Sequence, residues 1–340
     1  MENQQQKVLV TGAGGFIGHH LVTYLKSKGY WVRGVDLKHP EYAKSDADEF
    51  EILDLRRWDN CLQATRGGIE EVYALAADMG GMGFISANNA LILYNNALIN
   101  FHTMEAARQN GVTRYLYTSS ACVYPEYLQT AAEVTPLKES DAYPAQPQDA
   151  YGWEKLITEN LAQHYRKDYG FETRIVRFHN IFGDEGTWEG GREKAPAAMC
   201  RKVAYAKLTG NPVIEIWGDG KQTRSFCYID DCVEGIFKLM RSDYAEPLNL
   251  GQDRMVTINQ LADIVAKIAE TEIEHKHIPG PQGVRGRNSD NTQLRAVLNW
   301  EPGISLEEGL TRTYRWIEQQ VREKLEAEKV LPASMAMAGD

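Results

Sequence analysis

A doubly wound α/β fold, with a parallel Rossmann-type sheet and a smaller, interleaved α/β domain, is predicted by three features of this chain. They are a strand–glycine turn–helix opening, a long alternation of apolar segments with helical patterns, and a loosening of that alternation after Gly183. In the opening, Lys7 to Thr11 (KVLVT) is a short apolar run suited to a strand buried on both faces. Gly12, Gly15 and Gly18 follow, before a helical stretch that ends near Gly29, with the spacing GxxGxxG rather than GxGxxG. The first glycine allows a sharp turn, the second lets backbone approach a pyrophosphate, and the third lets helix pack on strand, so that phosphates meet the helix N-terminal N–H groups. A second strand, Trp31 to Val35, delivers Asp36 where an acid meets adenosine ribose hydroxyls and repels a 2′-phosphate, which predicts NAD rather than NADP. Phe16, Ile17 and Ala76 complete the expected cofactor set. Asp54, closing FEILDL, serves either the adenine or, as a cap, the next helix.

Further apolar segments at Phe50–Leu53, Glu71–Ala77, Arg114–Thr118 and Glu172–Phe178 are separated by helical patterns, notably Ala90–Gln109 and Ala150–Tyr169. After Gly183, Gly, Trp and charged residues crowd the stretch from Asp184 to Lys194. A helix over Ala197–Leu208 and a strand over Ile214–Trp217 come next. The helix Ile229–Arg241 and the strand Pro247–Leu250 are placed to return to the first sheet, and Thr257 with Gln260 forms a capping box for a helix over Ile258–Ala269. The expected division is a cofactor domain of residues 1–183 and 225–251, a second domain of residues 184–224 and 252–326, and a loose tail over 327–340.

Composition narrows the function. The 340 residues are 43% hydrophobic and 25% charged, as in ordinary globular proteins. A net charge of -10 and a pI near 5.4 argue against nucleic acid as a partner, and no apolar run is long enough to span a bilayer. MENQQQ lacks a cationic and apolar signal pattern, so a cytoplasmic protein is expected. The five cysteines, Cys61, Cys122, Cys200, Cys227 and Cys232, form no CxxC pair, so neither a metal site nor a disulfide scaffold is expected.

Chemistry enters with DAYGWEKL. On a helix, Tyr151 and Lys155 share one face, and an ammonium beside a phenol favours the phenolate, a base able to take a proton from an alcohol. Ser120, just past the strand over Arg114–Thr118, lies at the carboxyl edge of the sheet, where such folds bind ligands, and its hydroxyl can hold the substrate oxygen. TGAGGFIG, SSACVYP, YGWEK and GDGKQTRSFCYIDD, in that order, resemble the extended short-chain dehydrogenases/reductases that act on nucleotide sugars. MGGMGFI, RFHNIFG, GGREKAPAA and GPQGVRGRNSDN are similar to the branch of that family that inverts two ring carbons of a GDP-hexose. The resemblance covers about Lys7 to Glu323.

The resemblance implies NAD-dependent oxidation at C4 of GDP-mannose, proton exchange at C3 and C5, and re-reduction. It implies that Cys122 and Lys194 are the acid/base pair, that Arg224 and Arg285 meet the diphosphate, and that Asn180 touches sugar or diphosphate. Gly80, Gly81, Glu193 and Lys202 join the expected substrate set, with Gly83 and Arg287 as further candidates, and a homodimer contacting through the helices Ala90–Gln109 and Ala150–Tyr169 is expected. A nucleotide-sugar 4-epimerase would carry Ser120, Tyr151 and Lys155 but need no Cys122/Lys194 pair. A 4,6-dehydratase needs a carboxylate just past the strand-end hydroxyl, where this chain has Ala121 and Cys122. A non-catalytic NAD(H)-sensing protein would have no use for Tyr151 and Lys155.

Overall fold

Seven parallel strands form the main sheet of the computed structural model, which describes residues 5–336 and the side chains of 5–328. Their order is Pro247–Leu250, Glu172–Phe178, Arg114–Ser120, Glu71–Ala74, Lys7–Thr11, Trp31–Asp36 and Glu49–Ile52. From Lys7–Thr11 the chain first builds outward through Trp31–Asp36, then crosses back to Glu71–Ala74 on the other side. The strand order reverses between these neighbours, and the crevice beyond their carboxyl ends is where such a sheet takes a ligand.

Alternation of side chains explains why the first strand is apolar throughout. Val8 and Val10 enter the core on one face and Leu9 enters the core on the other, all fully buried. Removing a fully buried side chain such as Leu9 to alanine costs about 2–5 kcal/mol. The helix Ala150–Tyr169 has the predicted bounds, because the Asp149 side chain accepts from the Gly152 N–H at its start and Gly170 closes it in the left-handed conformation, φ 66°. The Thr257/Gln260 capping box and the return of Pro247–Leu250 to the main sheet are likewise present.

Outside the sheet, the helices Ala195–Thr209, Ile258–Ala269 and Leu306–Ala336 pack together, flanked by the parallel pair Val213–Trp217 and Glu274–Ile278. The stretch expected as a loose tail is helical through Ala336, continuing a run rich in Glu, Lys, Leu and Ala, all good helix formers, while residues 337–340 lie outside the described part. No helix among the described residues is long and apolar enough to cross a membrane.

Candidate active site

A cavity of about 930 Å³ opens at the switch point and extends toward the helical lobe. At its sheet end Gly12 turns at φ +72°, and a Cβ there would come within 2.8 Å of the Ala76 nitrogen. A Cβ on Gly15 would meet only the Gly12 carbonyl, at 3.2 Å, while one on Gly18 would overlap that carbonyl. These are the turn, the approach surface and the packing contact expected of the three glycines. The helix Phe16–Ser27 begins on Gly15 without a side-chain cap, leaving its first N–H groups to a ligand. Asp36 lines the cavity, accepting from the Gly14 N–H at 2.9 Å and the Leu37 N–H at 2.6 Å. Gly14, absent from the expected set, has no room for a side chain against the Lys38 carbonyl. The cradle, the free helix end and the acid fit a dinucleotide. Asp54 also lines the cavity, but it is not the cap: its carboxylate is gripped by Arg56 at 2.9 and 2.8 Å, which holds its pKa below the usual carboxylate range.

Deeper in, Tyr151 is 5% exposed beside Ser120 and Cys122. Its hydroxyl is not the lowered phenol that the Tyr/Lys spacing suggests. Burial pushes it well above its ordinary value, Cys122 and Glu154 add to that, and the Ser120 hydroxyl pulls it partly back. Lys155 Nζ lies 5.4 Å from the Tyr151 ring centre and donates to the Thr118 carbonyl at 3.1 Å. Ser120 Oγ accepts from the Cys122 N–H at 3.2 Å, capping the short turn Ala121–Val123. Gly152 lets the Tyr151 helix nest on this turn, because a Cβ there would overlap the Cys122 carbonyl. Cys122 is half-buried, unlike the fully buried Cys61, Cys200, Cys227 and Cys232, and Arg287 Nη1 donates to its sulfur at 3.3 Å. Lys194 sits at the N-cap of Ala195–Thr209, and burial lowers the pKa of its ammonium, with Cys122 opposing the effect.

Toward the helical lobe, Gly80, Gly81, Asn180, Glu193, Lys202 and Arg224 all line the same cavity. Gly81 is required by close contact, since a Cβ there would stand 2.7 Å from the Glu193 carbonyl, whereas at Gly83 the nearest atom is on Trp217 at 3.7 Å. Glu193 is taken up by Arg201 at 2.8 Å and the Gly191 N–H at 2.7 Å, and Lys202 donates to the Glu215 carbonyl. Asn180, at φ 50°, donates to the Ser225 carbonyl at 2.9 Å. Arg224 donates to the backbone carbonyls of Thr223 and Val284, both at 2.7 Å, and burial next to Arg287 destabilises its charge.

Arg285 is the one expected site residue that the cavity leaves out. Asp219 takes its guanidinium at 2.7 and 2.8 Å on the surface, and Arg287, two residues on, enters instead, 8% exposed and anchored on Gln129 Oε1 at 2.6 Å. Among the described residues neither Arg224 nor Arg287 is paired with a carboxylate. A buried and a half-buried guanidinium group without counter-charge make the inner wall receptive to an anion.

Known proteins resemble this chain along nearly its whole length. GDP-mannose 3,5-epimerase 1 of Oryza sativa subsp. japonica is 52% identical over 324 residues, covering 95% of this chain and 84% of the relative. GDP-mannose 3,5-epimerase of Arabidopsis thaliana is 51% identical over 339 residues, covering 99% and 88%. The crystal structure of UDP-glucose 4-epimerase with UDP-glucose from Thermotoga maritima superposes with a TM-score of 0.83 at 27% identity, covering 93% of this chain and 99% of that one. The model of the NAD dependent epimerase/dehydratase family matches residues 8–251, which contain the glycine turn, Ser120, Tyr151, Lys155 and Arg224, and the chain belongs to that family.

Proposed function

We propose that this chain epimerises a GDP-hexose, GDP-mannose, at C3 and C5, giving GDP-L-galactose and, where C5 alone inverts, GDP-L-gulose, with NAD held throughout. The observation that carries the reading is that Ser120, Tyr151 and Lys155 share one cavity with a second proton-carrying pair, Cys122 and Lys194. Oxidation and re-reduction at C4 alone would not need that pair. Half identity to relatives named GDP-mannose 3,5-epimerase supports the substrate, and the family supports the cofactor.

NAD is held by the Gly12–Gly18 turn with Asp36 on the adenosine ribose, and when bound it takes the C4 hydride and later gives it back. Ser120 orients the C4 hydroxyl and Tyr151 takes its proton, leaving a C4 ketone that acidifies the C–H bonds on both sides. Cys122 and Lys194 then remove a proton from one face of a neighbouring carbon and deliver one to the other face. Burial suits Lys194 to this, because an ammonium with a lowered pKa both gives and regains a proton readily. Tyr151 returns its proton to the C4 oxygen as the hydride comes back, so the cycle has no net redox change. Arg224 and Arg287 hold the diphosphate, and Gly80 and Gly81 bring backbone up to the hexose.

A homodimer accompanies this reading, formed through the helices Asn89–Gln109 and Ala150–Tyr169. Their outer faces leave Leu91, Tyr94, Phe101, Trp153 and Ile157 exposed, an apolar patch of the kind that a second copy covers.

The test is incubation of the purified protein with GDP-mannose in D₂O, followed by NMR. Deuterium at C3 and C5, with new GDP-hexose epimers, is expected. Deuterium at neither carbon rules the reading out, and inversion at C4 alone would identify a 4-epimerase.

A further inference from the structure

Lys155 is 2% exposed, and an ammonium that deep is strongly disfavoured unless it is paired. Besides the Thr118 carbonyl, its partner is the neighbouring carboxylate of Glu154, 3.6 Å away and 1% exposed. Two amides of the adjacent helix hold that carboxylate: Asn96 Nδ2 donates to Oε1 at 3.1 Å and Asn100 Nδ2 to Oε2 at 3.0 Å. Asn96 is in turn fixed by the Asp78 N–H, which donates to its Oδ1 at 2.6 Å, so the same network ties down the loop leading to Gly80. Burial raises the pKa of Glu154, while Lys155 and the two amides favour its charged form. A buried ion pair of this kind adds little stability over apolar residues of equal size, so its presence behind the site calls for another reason.

We propose that Glu154 is a positioning residue for the oxidation step, holding Lys155 as an ammonium beside Tyr151 while a cationic nicotinamide shares the cavity. The proposal rests on the reading of Tyr151, Lys155 and NAD given above. Charge balance is the argument. Before transfer, Lys155 and the oxidised cofactor ring are positive and Glu154 and the Tyr151 phenolate negative, so the buried charges cancel. After the C4 hydride and hydroxyl proton have left the sugar, only Lys155 and Glu154 remain charged, and they cancel again. Without Glu154 one positive charge is left over in each state, and Lys155 is the cation that can shed it as a proton, ending its support of the phenolate.

The direct readout is affinity for the two cofactor forms. Glu154→Gln is expected to weaken NAD⁺ relative to NADH by about tenfold, the effect of one uncompensated charge at an effective dielectric of ~20. Adding Lys155→Met should bring the ratio back toward that of the natural protein, because both charges are then gone. Glu154→Asp should keep the natural ratio. In turnover, Glu154→Gln should lower kcat by about 10²-fold with KM for GDP-mannose unchanged. Glu154→Met, a second neutral variant with no donor facing Asn96 or Asn100, repeats the test if the glutamine variant does not fold. Equal weakening of both cofactor forms, an unchanged ratio, or folding of the aspartate variant alone would overturn the proposal. A natural protein that binds neither NAD⁺ nor NADH would instead overturn the cofactor reading beneath it.

Discussion

Burial acts in opposite senses on two proton carriers of the cavity: it keeps the Tyr151 phenol protonated and makes the Lys194 ammonium readier to lose its proton. The phenol therefore needs help to become a base, from the Lys155 charge, the Ser120 hydroxyl and a cationic cofactor ring. Tyr151→Phe is expected to abolish C4 oxidation, and NADH-like absorbance appearing normally in a single turnover would contradict its role. Cys122→Ala should leave NAD bound and C4 oxidation intact while slowing deuterium exchange at C3 or C5 by about 10²- to 10⁴-fold. Unchanged exchange would remove Cys122 from the chemistry. Ser120, Tyr151 and Lys155 were legible because one strand end and one helix turn fix them locally. Which of Arg285 and Arg287 enters the cavity was not, since Asp219, 66 positions away from Arg285, captures Arg285 at the surface. Gly152 and Glu154 escaped for the same reason: one is dictated by the Cys122 carbonyl and the other by amides on a different helix.

At the scale of elements, the glycine turn separates folding from binding. A Cβ on Gly15 would face the cavity and press only on the Gly12 carbonyl, so Gly15→Ala should fold after a small shift of the turn yet lose about 1–3 kcal/mol of NAD affinity, seen by calorimetry as a roughly 5- to 150-fold rise in Kd. Unaltered affinity would mean that the turn does not meet a pyrophosphate. His179 joins the end of Glu172–Phe178 to Pro247–Leu250 through Asn249 Oδ1 at 2.9 Å, and burial pushes its pKa down to about 3. The unfolded chain binds this proton from about pH 6.5 downward and the folded one only near pH 3, so stability is full above 6.5 and is lost as pH falls between those values. Between pH 7 and 4.5 the loss should be about 2–3 kcal/mol larger in the natural protein than in His179→Phe, measured by urea unfolding at each pH. Buried strands and capped helices were legible because apolar runs and caps act locally. The long C-terminal helix went unread, although its buried Leu310, Tyr314, Ile317 and Val321 recur at helical spacing, and the small, polar composition from residue 327 suggested a loose tail.

For the whole molecule, the helix that carries Tyr151 and Lys155 into the cavity presents Trp153 and Ile157 to the outside, so self-association would brace the catalytic helix from behind. Ile157→Asp is expected to convert a dimer of twice 38.4 kDa into monomers by light scattering, and a monomeric natural protein would contradict this use of the patch. The Gly12–Gly18 turn, Ser120 with Tyr151 and Lys155, and Cys122 with Lys194 surround one cavity, so in the proposed reaction a single bound sugar is oxidised, inverted and reduced without leaving. GDP-mannose deuterated at C4, mixed with an equal amount of unlabelled GDP-mannose carrying a distinguishable hexose carbon label, tests this most directly. The deuterium should remain at C4 of its own molecules in the epimerised product, with no crossover to the carbon-labelled molecules. Deuterium that scrambles between them or appears in added NADH would contradict a closed hydride cycle.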